Sequence, residues 1–588
     1  MLSDNVLQHL AGIFAEAEAP PTRRDGSGEA VEQKTEVGVA IALPPIGGRF
    51  QVIAPLGSGG MGTVYRAIDL ETKREVAVKV PHLLNAFVDK RFALEVDAIA
   101  TVICPATIGF VARGDADEPF VAMELVRGAS LARRLHEDGA MPAERAIAVA
   151  RRLAAALAAV HLSGWVHRDL TPSNIVLTDE GTVRLVDFGL ARNMEGPGAG
   201  TEDGQILGTL GYLAPEQLGA DPVVDPRADV YALGCVLFEC LTGRAAWTRG
   251  LADVLSGRWS PERHPRLDVR GAGVAPEIAS LVEPLVETAP ADRPEDGLAA
   301  LETLLGLDPR ARAVLDETRA LRGVVRDVVR AAMRGPVAVT GGPGAGKSNV
   351  AASAALLLAE VLAPAAVFVV RCNPRAARRP GGHAFLLERA LRLAGFGSAA
   401  RVLGGLGVNV GAASDEPALI LVFDDASFAD DDSVRWARTL AEVGLARVIF
   451  TVRPSASAPP DLAAVHVPGQ ETASTGELDE LPGAHRRTLR LFAALGTSFD
   501  LFSASQLAVD VGAPMAQDLI EDLVERGILR KLGPSGLAFA RASLWEHVIR
   551  GSLPEELREL TRRIDALEEH SGRMPLEVTF VGRASATL

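Results

Sequence analysis

Residues Trp165–Gly189 read WVHRDLTPSNIVLTDEGTVRLVDFG. Two short apolar runs flank the turn Asp179-Glu180-Gly181, so the stretch predicts a pair of short strands. His167-Arg168-Asp169 leads into the first strand, and Asp187-Phe188-Gly189 leaves the second. The stretch sets one carboxylate, Asp169, before the hairpin. Two further oxygen donors, Asn174 and Asp187, stand at its entrance and its exit.

Phosphoryl transfer needs a carboxylate near an attacking hydroxyl and oxygen ligands for Mg²⁺. Asp169 fits the first need, and Asn174 and Asp187 fit the second. H-R-D-x-x-x-x-N followed by D-F-G resembles the protein kinase family. The resemblance implies an α+β bilobal fold over residues 48–306, with ATP and Mg²⁺ as cofactors and proteins as substrates. It makes Asp169 the base, Asn174 and Asp187 the metal ligands, and Lys79 the fourth member of the catalytic set.

Earlier motifs agree. Gly57, Gly59 and Gly62 form G-x-G-x-x-G, followed by Val64. Glycines let a backbone close over phosphates without a Cβ in the way. Ser58, Gly60 and Met61 complete this ATP-binding turn, which strands flank on both sides, whereas a dinucleotide fold would open a helix. Val76-Ala77-Val78-Lys79 resembles the strand whose lysine holds the α- and β-phosphates, with Ala77 on the nucleotide side. Glu95, in DKRFALEVDAIA, is the expected partner of Lys79. By the same resemblance Met123 faces the adenine, and the Glu124 and Val126 backbones bond the base edge. Ala143–Ser163 predicts a helix with an apolar stripe at Ile147, Ala150, Leu153, Leu157 and Val160, ended by Gly164.

Between Asp187 and Ala214-Pro215-Glu216 runs a glycine-rich polar segment with Thr201 and Thr209 as candidate phosphosites. Asp229 resembles the residue that anchors the catalytic loop, and Arg293 the buried partner of Glu216. One position departs from the family. Serine/threonine kinases carry lysine two residues after the catalytic aspartate, toward the γ-phosphate; here Thr171 stands there. A neutral hydroxyl cannot offset charge as an ammonium does.

The chain holds 588 residues, 48% of them hydrophobic, which predicts three or four domains with ordinary cores. A net charge of −15 argues against a general nucleic-acid binder. Cys104, Cys235, Cys240 and Cys372 show no metal spacing, which points to reduced core thiols and a cytoplasmic location. No secretory leader is evident. The longest apolar stretch, 350–370, is broken by Glu360 and Pro364, so no membrane span is expected. Residues 1–47 read as a flexible leader, with a short amphipathic helix at 6–18.

Pro309–Met333 predicts one charged helix, and 307–333 a helical connector. Gly341–Ser348 then fits G-x-x-x-x-G-K-[ST] between a strand and a helix, a P-loop. Gly341, Gly344 and Gly346 shape it; Lys347 would meet the β/γ-phosphates and Ser348 would ligate Mg²⁺. The apolar run 418–425 ends in Asp424, on the metal side, and Asp425, which would position water. The run 447–453 ends in Arg453, a cation for the γ-phosphate. These pieces give an α/β P-loop NTPase domain over 334–456. Residues 482–570 read helix, turn, helix, hairpin, helix and resemble the winged-helix part of STAND-type signalling ATPases.

In that family a helical lid separates the strand ending near Arg453 from the winged helix. Here only the Pro/Ser-rich stretch 457–481 intervenes, and it reads as a linker, with 571–588 as a tail. The second winged-helix helix carries Asp518, Glu521, Asp522 and Glu525, which phosphate would repel, so DNA is an unlikely partner. Self-association and intramolecular domain contacts remain as expected interactions. The sequence therefore predicts a multidomain serine/threonine kinase with an appended ATP-binding regulatory module. The competing classes are a pseudokinase scaffold that only senses ATP and a transcriptional regulator.

Overall fold

The computed structural model describes residues 44–59, 62–82, 86–115, 118–188, 192–193, 211–218, 225–247, 264–342, 345–372, 382–394, 396, 399, 417–453, 462–468, 478, 481–495, 498–512, 517–532, 536–539, 544, 547–549, 552, 555–556, 559–560, 562–564 and 578–584. The leader up to residue 43, with its expected helix, lies outside them, as do Gly60, Met61, Thr201, Thr209 and Gly344. The chain divides into two compact units between Gly297 and Leu298.

The first unit begins with β1 (Phe50–Gly59), β2 (Gly62–Asp69) and β3 (Glu75–Pro81), then α1 (Ala86–Thr101), β4 (Phe110–Arg113) and β5 (Val121–Glu124). The five strands form one antiparallel sheet in the order β1-β2-β3-β5-β4. Strand alternation gives the sheet two unlike faces. Phe50, Ala67, Val76, Val78, Phe120 and Ala122 fill a core on one. Val64 pairs with Lys79 and Ala77 with Met123, so these four share the other face.

Helices follow. After β6 (Gly128–Ser130) and α2 (Leu131–Asp138) comes α3 (Ala143–Leu162). The sequence predicts a stripe on α3, yet every residue from Arg152 to Leu162 is buried. Alanines at 154, 155, 156, 158 and 159 let neighbours approach from several sides, as in a core helix. Gly164 ends it at φ +85°. The chain then enters β7 (Trp165–Val166), β8 (Ile175–Thr178) and β9 (Val183–Leu185), and the β8–β9 hairpin forms as expected. The short β10 (Arg192–Asn193) pairs with β7. α4 (Pro226–Thr242) is capped by the Asp225 carboxylate and closed by Gly243 in the left-handed region. α5 (Pro276–Val282) completes the unit.

The second unit opens with α6 (Gly297–Leu305), which starts at the division. The single helix expected over 309–333 is two: α7 (Pro309–Glu317) and α8 (Arg322–Arg334), joined by a 3-10 turn at Arg319–Leu321. The break sits at Thr318, whose hydroxyl donates to the Leu315 carbonyl and pairs with Ser353 Oγ at 2.8 Å. Such back-bonding competes with helix continuation.

Next come β11 (Val337–Thr340), α9 (Lys347–Val361), β12 (Ala365–Arg371), α10 (Gly382–Leu393), β13 (Ala418–Asp424), α11 (Asp431–Glu442), β14 (Ala446–Val452) and β15 (Ala463–His466). They form a sheet ordered β15-β11-β14-β13-β12-β19, where β19 is Val578–Ala584. All pairings among β11 to β15 are parallel, and β19 is antiparallel. Two expectations are corrected here. The stretch read as a linker contains β15, a strand of this sheet. The stretch read as a tail contains β19, which covers the β12 edge; its β-branched and aromatic residues suit that position.

The remaining elements are α12 (Gly483–Leu495), β16 (Ser498–Asp500), α13 (Leu501–Val511), α14 (Gln517–Glu525), β17 (Leu529–Leu532) and β18 (Gly536–Phe539). The helices and hairpin follow the expected order. β16, unforeseen, pairs with β18. Phe492, Leu507, Leu523 and Leu537 lie in one buried cluster.

Candidate active site

Lys79 leaves β3 on the face shared with Val64, Ala77 and Met123. Its Nζ donates to Glu95 Oε1 of α1 at 2.5 Å and to Asp187 Oδ1 at 3.4 Å. Lys79 and Glu95 are both buried. Burial alone would lower the Lys79 pKa, but the Glu95 and Asp187 carboxylates outweigh it and raise it. Burial pushes the Glu95 carboxyl up, against the pull of Lys79.

The hairpin loop is held from below. Asp229 of α4, fully buried, accepts from the amides of His167 and Arg168, both at 2.7 Å, and bonds His161 Nε2 at 2.9 Å. Burial works against its charge, but the His161 contact and the loop groups outweigh it and hold the carboxyl below its ordinary value. Arg168 takes φ +68°, a strained value for a side-chain-bearing residue that these two amide bonds enforce. Asp187 has φ +68° as well, followed by Phe188, whose buried ring meets the His167 ring edge-on at 5.1 Å.

Asn174 Nδ2 donates to both the Asp169 carbonyl and Asp169 Oδ2, each at 2.9 Å. This fixes the carboxylate of Asp169 and leaves the Asn174 Oδ1 as that side chain's oxygen donor. The Asn174 carbonyl also accepts from the Val186 amide at 2.9 Å, tying the two ends of the hairpin together. Asp187 is about half exposed, with its carboxylate accessible to a ligand. An amide oxygen and a carboxylate are the donor types that a hard cation such as Mg²⁺ takes.

Other sequence-derived residues fall as follows. Gly57 and Gly59 end β1, Ser58 pairs with Thr63, and Gly62 begins β2. The Glu124 amide is engaged by the Gly109 carbonyl at 2.8 Å, so that amide is not the group a base edge would use. Arg293 binds Glu216 through two nitrogens at 2.7 and 2.9 Å. Thr171 is buried, and its carbonyl accepts from the Asn174 amide. It lines a small pocket together with Asp169, Tyr212 and Leu213.

In the second unit, Gly341, Asp425 and Arg453 follow the carboxyl ends of β11, β13 and β14, which are neighbours in the sheet. Crevices at such strand ends are where α/β sheets bind ligands. Gly341 (φ +156°) and Gly346 (φ +88°) shape the turn into α9. Lys347 Nζ donates to the carbonyls of Gly341 and Gly342 at 2.8 and 2.9 Å. Ser348 Oγ and Thr451 Oγ1 donate to Asp424 Oδ1 at 2.7 and 2.9 Å. Arg453 grips Asp425 with both Nε (3.0 Å) and Nη2 (2.5 Å). That pairing is not readable from sequence, since the two residues come from different strands.

Residues 50–304 match the family model of the protein kinase domain. This stretch is a protein kinase domain. The chain is similar to serine/threonine-protein kinase PknL of Mycobacterium bovis, at 39% identity over 255 residues, covering 43% of this chain and 63% of that protein. It resembles serine/threonine-protein kinase PknD of Mycobacterium tuberculosis at 36% identity, over 43% of this chain and 39% of that one. With serine/threonine-protein kinase PknB of Mycobacterium leprae it shares 37% identity, over 34% of this chain and 33% of that one. The chain thus spans less than two thirds of the length of these relatives, and the likeness covers less than half of this chain. Among the described residues no helix is long and apolar enough to cross a membrane.

Proposed function

We propose that this chain is an ATP- and Mg²⁺-dependent serine/threonine protein kinase that carries a second, regulatory nucleotide site in its P-loop unit. The observation that carries the kinase reading is the meeting of Lys79, Glu95 and Asp187, brought together from β3, α1 and the end of the hairpin. An ammonium fixed by a buried carboxylate presents its charge to the phosphates without a further ordering cost. Asp169, oriented by Asn174, accepts the proton of a serine or threonine hydroxyl as its oxygen attacks the γ-phosphorus. Asn174 Oδ1 and Asp187 would hold the magnesium, which when bound neutralises phosphate charge. Val64, Ala77 and Met123 offer the apolar wall for a base.

For the second unit, the parallel sheet order, the placement of Lys347 and Ser348 at the start of α9, and that of Asp424, Asp425 and Arg453 at strand ends support a nucleotide-binding P-loop domain of the STAND type. The order of helices, β16 and the β17–β18 hairpin supports a winged-helix module. On α14, Asp522 pairs with Arg526 and His485, and Asp518 and Glu521 add further negative charge. An acidic face suits packing against protein better than DNA.

One assay tests the main reading: transfer of ³²P from ATP by purified wild type beside Asp169→Asn. Label on serine or threonine in the wild type alone is expected. Equal labelling, or none in either, would leave a nucleotide-sensing scaffold.

A further inference from the structure

The paired ends of β1 and β2, which carry the glycine-rich motif, are fastened on the reverse side of the sheet. Lys79 points to Glu95 and Asp187, and Val64 lies opposite Lys79 in the β2–β3 register. Side chains alternate along a strand, so Thr63 stands on the face away from that site. Ser58, the β1 partner of Thr63, stands there with it. On that face three polar side chains meet. Thr63 Oγ1 lies 2.7 Å from His82 Nε2 and 3.0 Å from Ser58 Oγ, and Ser58 Oγ lies 3.4 Å from the same imidazole nitrogen. Thr63 is only 3% exposed, so its hydroxyl needs such partners.

The backbone brings His82 into reach. β3 ends at Pro81, directly opposite Gly62. A Cβ at Gly62 would come 2.4 Å from the Val80 carbonyl, so only glycine lets the two strands approach this closely. His82, the next residue, then bridges from β3 to Thr63 and Ser58. Among the described residues the one other titratable group on this network is Tyr65, two residues along the same face, which also interacts with the Thr63 hydroxyl.

We propose that His82 is a positioning residue that fixes, through Thr63 and Ser58, the paired ends of β1 and β2 from which the glycine-rich motif addresses the nucleotide phosphates. This rests on the kinase reading. Glycines give the turn many conformations, and a free turn must be ordered each time nucleotide binds. A clip of two hydrogen bonds orders it beforehand. Thr63 and His82 stand on the face away from Lys79 and take no part in the reacting set, so the clip acts on ground-state binding and not on the chemical step.

The full chain is assayed as wild type, His82→Ala, Thr63→Val, the double variant and His82→Gln. Losing one hydrogen bond of this kind is worth about a five-fold change in an equilibrium constant. Each single variant should therefore raise the KM for ATP about five-fold, with kcat within about two-fold. The double variant should be no worse than Thr63→Val, because both remove one chain of contacts. His82→Gln, whose amide can still reach the hydroxyl, should recover most of the loss. An unchanged KM, effects that multiply in the double variant, or a fall in kcat alone would overturn the proposal. Failure of the kinase reading would show differently, as no transfer by the wild type. In that case Mg-ADP titration calorimetry decides, since the clip predicts about five-fold weaker binding at one class of site without any turnover.

Discussion

Lys79 and Lys347 each belong to a phosphate-binding motif, and their surroundings differ in origin. Lys79 faces carboxylates 16 and 108 residues away in the chain. Lys347 faces carbonyls 6 and 5 residues away, on its own loop. The first environment exists only when β3, α1 and the hairpin are all in place. The second is made by a strand, a turn and a helix start. The first lysine therefore reports on the state of its whole unit, and the second on local backbone alone. Displacing α1 or the end of the hairpin would undo the first environment, whereas the second needs only its own loop.

The largest expected effect comes from the chemistry of the first site. Asp169→Asn keeps the amide contact to Asn174 but cannot take a proton. It should lower phosphotransfer roughly 10²–10⁴-fold, read by ³²P incorporation. Lys79→Met should abolish detectable labelling, because it removes the charge on the phosphates and leaves Glu95 buried without its cation. Full activity in Lys79→Met would break the comparison, since the long-range set would then be decoration.

Next is the second site. Lys347→Ala in the full chain should reduce the nucleotide stoichiometry measured by calorimetry from two classes of site to one. The Lys79-dependent labelling should persist. Loss of both classes together would mean that the lysines are not independent, and the contrast of local with long-range construction would fail.

A smaller effect concerns the support of the catalytic loop. Asp229 has a lowered pKa in the fold, below the ordinary 3.8. Its contribution to stability is therefore present above pH 3.8 and is lost as pH falls through its lower folded value. Asp229→Asn should cost about 3 kcal/mol and flatten part of the acid limb of a Tm-against-pH curve below pH 3.8. An unchanged acid limb would show that the two amide bonds do not depend on its charge.

The sequence made the first site legible because its residues carry fixed spacings: His167 to Asn174, Asp187 to Phe188, Gly57 to Val64. Glu95 was legible through its place after Lys79, and its 2.5 Å contact follows. Hidden features depend on register or on edges. β15 is short, and both β15 and β19 lie beside Pro/Ser-rich or polar sequence and gain their structure only by pairing with a sheet built elsewhere. The break at Thr318 depends on Ser353, 35 residues on, and no local pattern announces it. His82 sits just past a strand end, where a sequence shows a histidine but not the hydroxyls that meet it.

The smallest expected effect tests the one departure in the catalytic loop. Thr171 stands where a lysine would meet the γ-phosphate in related kinases, and its side chain is 3% exposed. Burial would ordinarily forbid a charge at such a position. Here the residue borders a small pocket shared with Asp169 and Tyr212, the direction in which a longer side chain would leave the packed loop. An ammonium that reached the γ-phosphate from there would act on charge that develops during transfer more than on bound ATP. Interactions of that kind raise kcat and leave KM for ATP nearly constant. Thr171→Lys should then increase kcat by a factor of about 5–10, a fraction of what a fully preorganised donor gives. Steady-state kinetics with ATP varied at fixed protein substrate separates the two constants. A flat or reduced kcat with an unchanged Tm would mean that another cation already serves the γ-phosphate. The long-range set around Lys79 would then be complete without Thr171.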